Sequence, residues 1–122
     1  MTGRTIKLIP GTEILEIRYA GAVGYEFRIE TLAAIESLLA RDSVSSLLIN
    51  YTSAWPAAQR NPRAVSEFGL RLGRLRFKTG TRIALVNAPS AVGTQTIAVG
   101  TPAGLHIRLF YDREQAIAWL NE

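Results

Sequence analysis

An α/β fold with a mixed, largely parallel sheet of about five strands follows from three observations. The run Leu47-Leu48-Ile49 has no polar partner between its residues, as in a strand covered on both faces. Strand-like runs alternate with helical ones in the order ββαβαβαβα, which favours parallel pairing through crossover helices. Pro10-Gly11 separates two short alternating runs and predicts an antiparallel hairpin at the N-terminus.

The elements follow in order. Residues 5–9 read as a first strand, with Ile6 and Leu8 alternating against Thr5 and Lys7. Leu15, Ile17 and Tyr19 alternate with Glu16 and Arg18, which predicts a second strand with one wet face. Residues 21–24 read as a break. A helix is predicted over 26–40 because Leu32, Ile35 and Leu39 recur on one face, ending at Asp42-Ser43. The central strand spans 47–51, and residues 52–61 are expected to form a polar connection carrying Thr52, Ser53, Trp55 and Pro56 off its carboxyl end. Asn61-Pro62 is a helix start, since Asn caps free amides and Pro fits the first turn. That helix is predicted over 62–78, with Val65, Phe68, Leu72 and Leu75 as its apolar stripe and Gly80 as its cap. Residues 82–88 form another buried strand. Gly93, Thr94, Thr96 and Gly100 argue for only a short or irregular helix after Pro89. Leu105, Ile107 and Leu109 alternate with His106 and Arg108, as in an edge strand. Asp112 caps a terminal helix, with Gln115 three residues on, pinned by Ala116, Trp119 and Leu120.

A chain of 122 residues is long enough for one domain, over residues 1–122, with a sizeable core. With 48% hydrophobic and 20% charged residues, it is globular rather than disordered. The absence of cysteine excludes disulfides, thiolate metal sites and cysteine nucleophiles. No signal-peptide core is visible, and no apolar run approaches the roughly 20 residues of a membrane span, so a cytoplasmic location is expected.

The net charge is +4, unevenly placed. Arg60, Arg63, Arg71, Arg74, Arg76, Lys78 and Arg82 face Glu67 alone between residues 60 and 82, so the rest of the chain is net negative. This basic helix region speaks to partners rather than to fold. Leu70 and Phe77 lie beside its basic stripe, which is either a solvated face or a contact surface for an acidic partner, an anionic membrane or a second subunit.

Catalytic signatures are missing. His106 is the single histidine and has no acid at strand spacing beside it. Glu13 and Glu16 fall on opposite strand faces, unsuited to acid–base work. No nucleophile elbow, phosphate loop or dinucleotide fingerprint occurs. A non-catalytic protein without a metal or cofactor is expected. Gly69 and Gly73 lie in a charged helix, where they serve close packing rather than a membrane dimer. Only Phe77 among the aromatics accompanies the basic stripe, which argues against nucleic-acid binding.

The ending Leu109-Phe110-Tyr111-Asp112, then Ala116, then Trp119-Leu120, resembles that of SpoIIAA-like proteins of the STAS superfamily, related in fold to CRAL-TRIO lipid-binding domains. The order of strands at 47–51 and 83–86 fits the same pattern. The resemblance implies a regulatory, protein-binding module. Its anti-sigma antagonist members switch by phosphorylation of a serine in an Asp-Ser-Ser-Gly-like loop. Here the segment reads Asn50-Tyr51-Thr52-Ser53-Ala54-Trp55-Pro56, without the acid or the glycine. Thr52, Ser53 and Trp55 are the candidate regulatory loop, and a phosphate on Ser53 would face Arg60 and Arg63.

Two functional classes therefore lead. One is a regulatory module recognising a protein or a second copy of itself through Arg60, Arg63, Leu70, Arg71, Arg74, Phe77 and Lys78. The other is a carrier of a small apolar ligand or lipid, lined by Tyr51, Trp55 and Phe68, with the helix at 62–78 resting on anionic membrane. An enzyme lacking a local signature is the third class.

Overall fold

The computed structural model describes residues 2–41, 44–57, 62–75 and 80–122. The elements are β1 (Gly3–Leu8), β2 (Ile14–Val23), α1 (Tyr25–Arg41), β3 (Ser46–Pro56), α2 (Pro62–Arg74), β4 (Arg82–Val86), α3 (Ser90–Gly100), β5 (His106–Phe110) and α4 (Arg113–Leu120). The five strands lie side by side in chain order. β1 and β2 pair antiparallel, and every later pair is parallel. The predicted architecture is present, with β3 at its centre and β5 at one edge.

Chain order has a consequence. Crossovers of one hand that always step the same way place their helices on one face. α1, α2 and α3 accordingly share a core with Leu15, Ile17, Tyr19, Leu47, Tyr51, Ile83 and Leu85. The opposite face carries Ile14, Leu48, Ala84 and Val86, which pack on Ala116 and Leu120 of α4. Leu47 and Leu48 are both buried, each in a different core, as their uninterrupted apolar run requires.

β2 departs from the expected single wet face. Glu16 points toward α4 and is 1% exposed. Arg113, in the first turn of α4, grips it with Nε at 2.8 Å and Nη2 at 2.9 Å, and Arg18 stands 3.4 Å away. The hydrogen bond from Arg113 is the main reason that the Glu16 pKa lies below its ordinary 4.5, against the opposing pull of desolvation. α4 is also held by Arg82, which donates to the Trp119 carbonyl at 2.7 Å and stacks on the Trp119 ring. Asp112 caps α4 by accepting from the Glu114 amide at 2.8 Å.

Three further expectations are corrected. Residues 21–24 do not break β2, which runs on to Val23, with Gly21 supplying a positive φ of 83°. The segment 52–56 is not a loop: Ser53 to Pro56 pair with Ala20 to Val23, and β3 carries an extra residue between the Arg18 and Ala20 positions. Finally, α3 is a regular helix. Its small residues are packing devices, since a Cβ on Gly100 would lie 2.2 Å from Ile107 Cδ1 and one on Gly93 would lie 3.0 Å from Leu109 Cδ2. Gly69 likewise lies against Val99, whereas nothing within 4 Å would meet a Cβ on Gly73. The predicted boundaries at 42–43, Asn61 and residues 76–78 lie outside the described residues. α2 ends at Arg74, short of the predicted 78, so Gly80, although its φ is 82°, does not stand beside the helix end as a cap would.

Two predictions follow from this packing. Because the folded pKa of Glu16 is depressed, its pairing contributes stability above the unfolded-state value of about 4.5, and that contribution is lost as pH falls through the folded value. Glu16→Gln should lower unfolding free energy at pH 7 by about 1–3 kcal/mol, and less as pH falls, in urea titrations. The double variant Glu16→Leu with Arg113→Met should lose less than the single one. Separately, Gly100→Ala should destabilise by about 1–3 kcal/mol through overpacking, while Gly73→Ala should be neutral or stabilising by up to about 1 kcal/mol.

Candidate functional site

The open surface of the helical layer is a groove between α1 and α2. Leu32, Ala33 and Glu36 line one wall; Arg63, Ser66, Glu67, Leu70, Arg71, Arg74 and Leu75 line the other, enclosing about 790 Å³. α2 buries Ala64, Phe68 and Leu72, three residues at four-residue spacing, so the residues between these rows must face outward. Leu70 is thereby left 60% exposed. Arg71 is partly neutralised by Glu67, one turn earlier, with Nη2 to Oε1 at 2.9 Å. The rim thus holds three arginines against Glu36 and Glu67. It can accept a ligand that is apolar along its length and acidic at its border.

Arg63, Leu70, Arg71 and Arg74, read from the sequence as one candidate surface, all line the groove. Arg60, Phe77 and Lys78 lie outside the described residues. The wall contributed by Leu32, Ala33 and Glu36 was missed, because nothing in α1 alone says which helix stands beside it.

Thr52, Ser53 and Trp55 belong elsewhere. Beyond Asn50↔Val86, β3 leaves β4 behind and continues as a two-stranded ribbon with β2. Ala54 packs toward the helical core, so Ser53 and Trp55 point to the opposite sheet face, and Trp55 is 57% exposed. Thr52 closes the ribbon's base: its hydroxyl bonds Asn50 Oδ1 at 2.5 Å and accepts from Asn87 Nδ2 at 3.0 Å. Asn87 supports this from a left-handed φ of 54°. Tyr51 and Phe68 are core residues, so they form no common pocket wall with Trp55.

Under the helical layer lies a polar constellation that the sequence reading did not single out. Arg28, in α1, is 3% exposed. Its guanidinium stacks 4.1 Å from the Phe68 ring centroid and 4.9 Å from that of Tyr25. Nη2 donates to Thr96 Oγ1 at 2.9 Å, while Nη1 is buried without a partner. Burial raises the pKa of Tyr51, and the adjacent Arg28 only partly opposes it. Tyr19, whose ring centroid is 5.3 Å from that of Tyr51, is raised likewise by burial. The signal was readable: Arg28, Leu32 and Ile35 share the spacing of the buried face. Among the described residues, no group of three or more His, Asp or Glu side chains could hold a metal ion, and no helix is long and apolar enough to cross a membrane.

No protein-family model and no curated protein matches this chain. Solved structures do. A protein of the DUF3478 family from Shewanella loihica PV-4, described as having a SpoIIAA-like fold, is 20% identical with a TM-score of 0.63, covering 98% of this chain and 93% of that one. The anti-sigma factor antagonist SpoIIAA in its unphosphorylated form is 16% identical with a TM-score of 0.59, covering 98% of both chains. The Bacillus cell fate determinant SpoIIAA in the phosphorylated form is 15% identical with a TM-score of 0.60, covering 97% of this chain and 99% of that one. The fold is SpoIIAA-like, as the C-terminal segment suggested.

If Leu70 serves the surface and Leu72 the core, their substitutions must separate. Leu70→Ser should change unfolding free energy by no more than about 0.5 kcal/mol, whereas Leu72→Ala should cost about 2–5 kcal/mol; chemical denaturation measures both.

Proposed function

We propose that this chain is a non-catalytic regulatory module of the SpoIIAA-like type that recognises a protein partner through the α1–α2 groove. The observation that carries the reading is the pairing of exposed Leu70 with rim arginines 63, 71 and 74 around one open groove. An amphipathic, acidic segment of a partner complements it: an apolar side chain fills the space beside Leu32 and Leu70, and flanking carboxylates meet the arginines. The SpoIIAA structures support a regulatory role by their fold and by the description of one of them as an anti-sigma factor antagonist. We read the chain as working without the usual phosphoswitch, because Asn50 to Pro56 continues as strand where the resemblance places the switch loop. Phosphate found on Ser53 or Thr52 by mass spectrometry of the native protein would end that part of the reading.

A second reading rests on the same groove. Its apolar wall of Leu32, Leu70 and Leu75, with arginines at the rim, also fits a small apolar ligand or the surface of an anionic membrane.

The test is affinity purification at native expression level, with wild type beside a Leu70→Ser/Arg71→Glu/Arg74→Glu variant whose folding is verified by circular dichroism. A defined protein recovered with wild type and reduced at least tenfold with the variant is expected. Equal recovery by both would overturn the groove as the partner surface. Co-sedimentation of wild type with anionic but not neutral vesicles, with no protein partner recovered, would transfer the assignment to the second reading.

A further inference from the structure

We propose that the outer edge of β5 is a docking strand for an extended peptide in which an acidic residue stands between two apolar ones. This surface lies away from the α1–α2 groove and uses none of its residues.

β5 is the last strand of the sheet, so among the described residues one side of its backbone has no strand beside it. In a parallel ladder the N–H and C=O of one residue turn to the same side, and successive residues alternate. The His106 amide donates to the Thr81 carbonyl at 3.2 Å, and the Phe110 carbonyl accepts from the Asn87 amide at 2.8 Å. Residues 106, 108 and 110 are thus turned inward to β4. The amides and carbonyls of Ile107 and Leu109 face outward, where an added strand can bond them.

The two sheet faces beside that edge differ. Toward the helical layer stand Ile107 and Leu109, which lie against Gly100 and Gly93 of α3, and Leu109 remains 41% exposed. On the α4 face Arg108 is exposed. Its guanidinium lies 5.5 Å from the Phe110 ring centroid and 5.9 Å from that of Trp119, and Arg82 lies 5.3 Å from the same Trp119 ring. Among the described residues neither arginine forms an ion pair. The rings steady the Arg108 guanidinium through their faces and leave its N–H donors for a partner.

These faces select the occupant. A strand sends its side chains alternately to the two faces. A strand added to β5 therefore sets one residue beside Arg108 and that residue's two neighbours beside Ile107 and Leu109. A carboxylate suits the first position and apolar side chains suit the other two. A charge on an edge strand ordinarily discourages pairing; here it discriminates, because opposite charges across a strand pair attract and like charges repel. A second copy fits badly, since antiparallel pairing centred on Arg108 sets the two arginines against each other.

The test uses the full chain carrying Trp55→Phe, which leaves Trp119 as the only tryptophan, and reads its fluorescence against capped peptides. Gly-Thr-Val-Glu-Val-Thr-Gly should bind saturably, at least about fivefold tighter than its lysine counterpart with Glu replaced, and tighter than the scrambled Gly-Val-Val-Glu-Thr-Thr-Gly. Only alternate amides of an added strand face β5. Of two N-methylated forms, one methylated at both valines and one at Glu and the Thr after it, one should therefore lose binding and the other keep it. Arg108→Glu should reverse the preference between the glutamate and lysine peptides. No saturable binding, equal binding of the scrambled peptide, equal effects of the two methylation patterns, or an unchanged preference in Arg108→Glu would each overturn the proposal. A wild-type dimer in sedimentation that Leu109→Glu converts to monomer would assign the edge to a second copy. Tighter, salt-sensitive binding of an oligothymidylate read by the same Trp119 would assign it to nucleic acid. Either result would overturn the peptide, and the wild-type edge with its five peptides decides the matter even if an Arg108 variant fails to fold.

Discussion

The bidentate contact between Glu16 and Arg113 is the constraint on which the second layer depends. A sheet whose crossover helices all fall on one side must cover its other side by separate means, and among the described residues α4 is the only helix that does so. α4 is short, with Ala116 and Leu120 as its buried contacts, and so brings little apolar area of its own. Two arginines compensate: Arg113 reaches down to Glu16 in β2, and Arg82 reaches up from β4 to the Trp119 carbonyl. They fasten the first and last turns of the helix to different strands. Directional bonds at both ends fix where α4 sits and how it is rotated, which nonspecific apolar contact would leave loose. Removing one partner strands a charge in the interior, so the pair acts more as a positional lock than as a source of net stability.

The same strand order shapes the working surfaces. Because the strands never reverse direction of travel across the sheet, there is no switch-point crevice of the kind that hosts ligands in doubly wound folds. Open features arise instead where helices meet, in the α1–α2 groove, and where β2 and β3 outrun their neighbours. The ribbon holding Ser53 and Trp55 lies outside the cover of α4, so an aromatic side chain stands on a sheet face among small residues such as Ala20 and Ala22. The helical layer and the ribbon are separate surfaces, the first carrying Leu70 and the rim arginines and the second Ser53 and Trp55.

The pattern of apolar residues was sufficient to read the order of elements, the central position of β3 and the composition of the basic helix face. Leu47-Leu48-Ile49 has no other comfortable setting, and Asp112 before a helical run is a strong local signal. The failures share a cause: each concerned a residue whose environment comes from far along the chain. Glu16 reads as a solvent-facing strand residue until α4 is placed over it. The glycines of α3 read as helix breakers until β5 is seen to press against them. The segment 52–56 reads as loop because its pairing partner, residues 20–23, also contains a glycine. Leu48 held a usable hint, for a strand neighbour apolar on the same face implied that something covers Glu16 too.

The lock has a temporal side. Glu16 and Arg113 are 97 positions apart, and α4 is the final element of this domain to be synthesised. While the ribosome is still delivering the sequence, the strands can gather under α1, α2 and α3, but Leu48, Ala84 and Val86 stay bare and the glutamate lacks its mate. A nascent chain of this fold therefore keeps that apolar sheet face uncovered from the time β4 is made until α4 emerges.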